Sequence, residues 1–529
     1  MLCDVPRRGR GALRIGAALL PLLLLGAACA TGPSQRPPVA YEGSRQQVAP
    51  APPLPRPAPV PPLGAPARDT LTWQDCSDQV GEALRAPAPG VSCAKMASTL
   101  DSPEAPGSGI VRISLLRAGS GAVPLVVLND AGGEPGTLAA ARLAQRMPPE
   151  LLRTFRVIGV DQRGTGTSDP ADCVPPPLRQ ALAGFDPRAS DPGQLDQLQG
   201  TVRRASQRCL LTLDERAQAY DTSRAAEDLE ELRARLGVPR LHAIGRGEAA
   251  RVLTTFAAQH PTEVGRVVLD GAPDPQADAQ RTAEQQARSA EATFDAFAAA
   301  CGRSGPCPLG PDPRGAVSDL VERSRREPVP APAGPVRAGP VRAGLVVRAT
   351  LLGLADPARW PELTGALAAA QHGDGSGIAD FAAPLVDPSP QGPPRMTPGM
   401  ITRCNDTTLR IPPQQVPDLA GDWVRRFPLF GGAFAQDLVR CGVWPVPQRE
   451  PQTPTNPGVP PVLVVSTAHD PTVPAGGSER TARQLPSGTT LRWLGAGHGA
   501  VGRSDCATAA VSGFLTRGTL PTRGTVCPA

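Results

Sequence analysis

The stretch Leu241-His242-Ala243-Ile244-Gly245-Arg246-Gly247-Glu248-Ala249 decides the fold, together with the helix-forming residues that follow it to His260. Residues 241–244 are a short aliphatic run and read as a strand. Two glycines within 245–247 mark a tight turn. A helical pattern runs over 249–260 and is closed by Pro261, and the aliphatic run 264–269 reads as a second strand. A strand, a turn, a helix and a strand in this order place the two strands parallel, with the helix covering one face.

The same rhythm extends outward. Upstream, 223–236 carries Ala226, Leu229, Leu232 and Leu236 at spacings of three and four with a charged opposite face, and Gly237 ends it. Further upstream, 110–116, 123–128 and 155–160 read as strands, with a helix over 139–145 between the last two. Downstream, residues 276–396 break the alternation. Helical pattern dominates 279–300, and a direct repeat follows, Pro335-Val336-Arg337-Ala338-Gly339 then Pro340-Val341-Arg342-Ala343-Gly344. This segment reads as an inserted helical cap with the repeat in a surface loop. Strands return at 461–465 and 490–494, and a helix over 506–515 closes the pattern. The expected class is α/β, with a mostly parallel central sheet covered on both faces.

Among 529 residues, 40% are hydrophobic but only 3% aromatic, so Ala, Val and Leu must build the core. The net charge of +5 comes almost wholly from arginine, since Lys95 is the single lysine. These arginines mix with acids, as in Arg224, Glu227, Asp228, Glu230, Glu231 and Arg233, and form no stripe, which argues against nucleic acid as a partner.

Residues 1–30 read as an export signal: Arg7, Arg8, Arg10 and Arg14 precede an apolar run from Ile15 to Ala28, followed by small residues. Ala28-Cys29-Ala30 fits an ordinary cleavage site, and Leu25 to Cys29 fits a lipoprotein processing site equally well. Cys29 is therefore either removed or lipid-bearing, and a lipid there would be the one link to a membrane. The product is secreted or extracytoplasmic. Residues 31–69, rich in Pro and Ala, read as an extended stalk. Ten cysteines remain beyond Cys29, and pairing by proximity gives Cys76 with Cys93, Cys173 with Cys209, Cys301 with Cys307, Cys404 with Cys441, and Cys506 with Cys527. His242, His260, His372, His469 and His498 are scattered without zinc spacing, so neither a metal nor a cofactor is expected.

Order and motifs resemble the α/β-hydrolase fold, and specifically the secreted tripeptidyl aminopeptidase-like family of actinobacteria, over roughly residues 71–527. The resemblance rests on Asp161-Gln162-Arg163-Gly164-Thr165-Gly166-Thr167-Ser168, Tyr220-Asp221-Thr222, Leu236-Gly237-Val238, Val267-Val268-Leu269-Asp270-Gly271, Cys404-Asn405-Asp406, Cys441 to Pro445, Asp470-Pro471 and Gly497-His498-Gly499. It implies a core over 70–275 and 397–529, interrupted by the cap at 276–396.

The resemblance also implies a site. The family's nucleophile stands in a Gly-x-Ser-x-Gly turn between strand and helix, which here is Gly245-Arg246-Gly247-Glu248-Ala249. Gly247 tolerates the backbone of such a turn but offers no hydroxyl. Asp470 and His498 follow the strands 461–465 and 490–494 in the order of acid and histidine. The oxyanion loop, Asp130-Ala131-Gly132-Gly133-Glu134-Pro135-Gly136, keeps Gly132 and Gly133 but inserts Glu134, whose carboxylate either repels a developing oxyanion or points to solvent. Glu248 adjoins the elbow and offers an acid–base partner for His498 acting on a bound water. Ser168, Thr222, Ser223, Ser466 and Thr467 are the other hydroxyls of interest, with Thr222 and Ser223 read as helix caps and Asp161, Arg163 and Asp406 as loop braces.

Three functions compete on these residues. The first is an impaired hydrolase that keeps a pocket for a short peptide or small ester-like ligand. The second is an active peptide or ester hydrolase that uses another nucleophile or a water activated by His498 and Asp470. The third is a mechanical envelope protein. The oligomeric state is left open.

Overall fold

The computed structural model describes residues 58–66, 68–88, 90–101, 109–189, 191–303, 305–333, 339–445 and 450–529. The expected export signal, Cys29, the stalk up to residue 57 and most of the first copy of the repeat lie outside the described residues. Among the described residues no helix is long and apolar enough to cross a membrane.

Ten strands form one sheet: β1 Gln74–Asp75, β2 Ser92–Thr99, β3 Ile110–Ala118, β4 Val123–Leu128, β5 Phe155–Val160, β6 Leu241–Arg246, β7 Val264–Asp270, β8 Val462–His469, β9 Gly488–Ala496 and β10 Thr525–Cys527. Their order is β1-β2-β3-β5-β4-β6-β7-β8-β9-β10. Pairing is antiparallel from β1 through β3 to β5, and parallel from β5 to β10. This is a mostly parallel sheet with flanking and inserted helices, as in an α/β-hydrolase fold with a helical cap.

The aliphatic runs form central strands because they are apolar on both sides. All six residues of β4 are buried. Val126 and Leu128 pack into the apolar cluster on one face, and Leu125 and Val127 into the cluster on the other. The helices Thr222–Arg235 and Ala249–Gln259 bury Leu229, Leu232, Leu253 and Phe256 on the first face. The helices Gly136–Arg146 and Asp505–Arg517 bury Leu138, Leu143, Val511 and Phe514 on the second. Small residues set the spacing between layers. A Cβ at Gly136 would collide with the Val160 carbonyl, and one at Gly159 would lie 2.6 Å from the Ala140 Cβ, so only an Ala- and Gly-rich helix fits this close to β5.

Between β7 and β8 the chain is helical well past the expected boundary at 396. Helices Ala279–Arg303, Pro313–Arg326, Ala343–Leu354, Trp360–Gln371 and Ser376–Val386 are followed by Met396–Asn405, Val416–Arg426 and Gly431–Asp437 before the sheet resumes at β8. Five disulfides join Cys76 to Cys93, Cys173 to Cys209, Cys301 to Cys307, Cys404 to Cys441 and Cys506 to Cys527. These are the pairs expected from proximity.

Candidate active site

Parallel strands end on the same edge of the sheet, so the loops after β4, β6, β8 and β9 meet above it. β6 runs directly into a turn at Gly247, whose φ of +62° lies in the left-handed region, and the helix Ala249–Gln259 starts two residues later. Gly245 is equally constrained, since its Cβ would lie 2.8 Å from Leu253 Cδ1 and 3.0 Å from the Ala249 carbonyl. The turn thus has the backbone of a nucleophile elbow with no side chain at its apex.

Asp470 and His498 face this apex. Asp470 is fully buried and accepts hydrogen bonds from the backbone amides of Thr472 at 2.8 Å, Val473 at 2.9 Å and Gly499 at 3.2 Å. The Nδ1 of His498 lies 3.1 Å from Asp470 Oδ2. The histidine loop is fixed from several sides. The His498 amide donates to the Ala355 carbonyl of the inserted helices at 2.8 Å, and Asp270 accepts from the amides of Ala500 and Val501 at 2.8 and 3.2 Å. Arg246 donates to Asp270 and to the Val501 carbonyl.

The other ring nitrogen meets a residue that sequence reasoning passed over. His498 Nε2 lies 2.8 Å from Oδ2 of Asp130, in the loop after β4. The other oxygen, Oδ1, accepts from the backbone amide of Glu248 and stands where a Cβ at Gly247 would be. Asp130 therefore fills the volume that a side chain at position 247 would take. It also takes the amide just after the elbow, the donor that binds the oxyanion in acyl transfer on this fold.

A histidine between two carboxylates donates from both nitrogens only as imidazolium. Burial by itself pulls the His498 pKa down, but the charges of Asp470 and Asp130 and their hydrogen bonds outweigh it and push the pKa up to about 10. At neutral pH the ring is charged, and Nε2 has no lone pair with which to take a proton from a hydroxyl or a water.

The remaining candidates are accounted for elsewhere. Glu134 neither faces the elbow nor stands free in solvent, because its Oε1 accepts from Arg142 Nε at 2.8 Å and its carbonyl accepts from Asn129 Nδ2 at 2.9 Å. The carboxylate in the oxyanion region is Asp130. Gly133 closes a turn by donating to the Asp130 carbonyl at 2.9 Å, and Gly132 packs on Gly399, with an ideal Cβ only 3.4 Å from its Cα. The Glu248 carboxylate pairs with Arg251 at 2.8 Å. Ser168 is buried and donates to the Asp161 carbonyl at 2.7 Å. Thr222 donates to Asp406 from its amide and hydroxyl at 2.9 and 2.7 Å, and the cap of its helix is Asp221, which accepts from the Arg224 amide. Ser223 accepts from Gln259 at 3.0 Å, and the Ser466 and Thr467 hydroxyls are buried in β8. Asp161 ties Thr137 to Thr167, and Arg163 forms a buried bidentate pair with Asp228 at 2.6 and 2.8 Å.

Above the elbow lies a cavity of about 1390 Å³, lined from the sheet side by Asp130, Gly132, Glu248 and His498, and from the insertion by Phe381 and Arg395. Among the described residues no three His, Cys, Asp or Glu side chains are grouped as metal ligands.

Comparison with known proteins agrees with this architecture. Residues 427–527 match the family model described as TAP-like protein. The chain is 29% identical over 467 residues to Serine protease Hip1 of Mycobacterium tuberculosis, covering 83% of this chain and 87% of the relative. It is 27% identical over 491 residues to Carboxylesterase B of the same organism, with 88% and 91% covered. To Tripeptidyl aminopeptidase of Streptomyces lividans it is 24% identical over 478 residues, with 87% of each covered. These matches relate the chain to actinobacterial α/β-hydrolases of the TAP-like group, which include peptidases and esterases.

Proposed function

We propose that this relative of serine exopeptidases and esterases is an exported, catalytically impaired member that keeps a ligand pocket for a short peptide or small ester-like molecule. One observation carries the reading: the Asp130 carboxylate occupies the side-chain volume above Gly247 and accepts from His498 Nε2 at 2.8 Å. Covalent acyl transfer needs a nucleophile, a base to deprotonate it and a donor for the oxyanion. At this elbow the first is absent, the second is charged, and one oxyanion donor is already bonded. Export is supported by the amino-terminal pattern and by five disulfides, which persist in oxidising compartments.

A second reading, an active hydrolase using a water, is favoured by the intact contact of Asp470 with His498. It requires His498 Nε2 to be released from Asp130 before it can act as a base. Hydrolysis of tripeptide and ester reporters by the purified mature protein separates the two. Silence is expected, whereas turnover that disappears in His498→Ala would overturn the impaired reading.

A further inference from the structure

The cavity contains a cation with no partner. Arg395 lines it just before the helix Met396–Asn405, and among the described residues its guanidinium makes no hydrogen bond or ion pair, although burial disfavours its charge. Its backbone is pressed against the oxyanion loop: an ideal Cβ at Gly132 lies 3.8 Å from the Arg395 carbonyl and 3.4 Å from Gly399 Cα. The charged neighbours acting on Arg395 are Glu134, Arg142 and Arg359. Glu134, the one acid among them, is already engaged by Arg142 at 2.8 Å, and Arg359 is paired with Glu362 at 2.8 Å. Arg359 also covers the Phe381 ring at 4.0 Å. Of these three arginines, Arg142 and Arg359 each hold a glutamate, and among the described residues Arg395 holds none.

A half-buried guanidinium that faces a cavity with no protein acceptor is open to a ligand that supplies one. Its planar fork matches a carboxylate, which accepts two parallel N–H bonds. We propose that the cavity takes a ligand carboxylate on Arg395, beside the oxyanion loop, and that the natural ligand carries a free carboxylate and is not a neutral ester. This deepens the reading of a retained pocket and rests on it. The carboxylate belongs either to the carboxy terminus of a short peptide or to a free organic acid.

Calorimetric titration of the full mature protein with trialanine, trialanine amide and hexanoate tests this. Trialanine or hexanoate should bind, the first marking a peptide and the second a free acid. A peptide ligand should prefer its acid to its amide by about tenfold or more, the scale of a charge-assisted hydrogen bond. Arg395→Gln should weaken the bound acid by about the same factor and leave the amide unchanged, while Arg395→Lys keeps part of the affinity. Equal binding of trialanine and its amide without hexanoate binding, undiminished acid binding by folded Arg395→Gln, or binding of none of the three probes would overturn the proposal. If Arg395→Gln does not fold, the comparison of acid with amide on the natural protein decides. Reporter turnover is a separate readout, so an active enzyme that ignores carboxylates and an inert protein that binds them are distinguishable.

Discussion

At His498 the charge state decides what the site can do. Two carboxylates hold the imidazolium, so its folded pKa, pushed up to about 10, lies above the ordinary value of 6.5. The stabilisation from this pair is complete below about pH 6.5 and is lost as pH rises through the folded value. An NMR titration of the ring should show it protonated through neutral pH, and Asp130→Asn should bring the midpoint down by removing one of the two charges. A natural protein whose His498 titrates near 6.5 would refute the clamp. Restoring the hydroxyl tests the same atoms. Gly247→Ser alone should stay at background because the new side chain meets Asp130. With Asp130→Ala added, reporter turnover should rise by about 10²-fold or more, the scale of one recovered oxyanion donor, and equal activity of the single and double variants would exclude obstruction by Asp130. Gly247, Asp470 and His498 were legible as members of one site because each follows a strand in the expected order. Asp130 was not, since the conformation of a loop side chain 368 positions away from its histidine has no local sequence signal.

Among the elements, strands built from aliphatic runs were readable nearly to the residue, as β4 and β5 show. β2 was missed because Ser92-Cys93-Ala94-Lys95-Met96-Ala97-Ser98-Thr99 is small and polar. Its Ala94 and Met96 face the core, and its place is fixed by antiparallel pairing with β3. Tertiary pairing there overrides a weak local preference. The turn after β5 is held to the helix Thr222–Arg235 by the pair of Arg163 and Asp228, whose side chains are only 2% and 4% exposed. Asp228→Ala would leave a buried guanidinium without its carboxylate and should destabilise the protein by about 3–5 kcal/mol in denaturant unfolding. A loss under ~1 kcal/mol, the scale of an exposed pair, would mean that the pair is solvated.

For the whole molecule, the cysteine pairs followed from sequence because the spacing is short, from 6 to 37 residues between bonded partners, whereas the order of the strands across the sheet did not. Between β7 and β8 the helices continue past residue 396 to Asp437. Helices Val416–Arg426 and Gly431–Asp437 are short and separated by turns, and nothing in their composition assigns them to the cap or to the core. The bond between Cys404 and Cys441 ties the helix Met396–Asn405 to the end of this run. Replacing both cysteines with Ala should lower unfolding stability by about 4 kcal/mol on the loop-entropy scale for a closure of this length. An unchanged denaturation midpoint would show that packing alone secures the segment.

The carboxylate lodged above Gly247 also links what can change at positions 130 and 247. A single change of Gly247 to serine meets Asp130, while a change at 130 alone empties the volume and frees His498 without supplying a hydroxyl. On the reading of an impaired hydrolase, neither step by itself completes a nucleophile, a base and an acid. On that reading the two positions constrain each other, so Gly247 and Asp130 are expected to change only together, while Arg395, which the proposed ligand needs, is expected to persist.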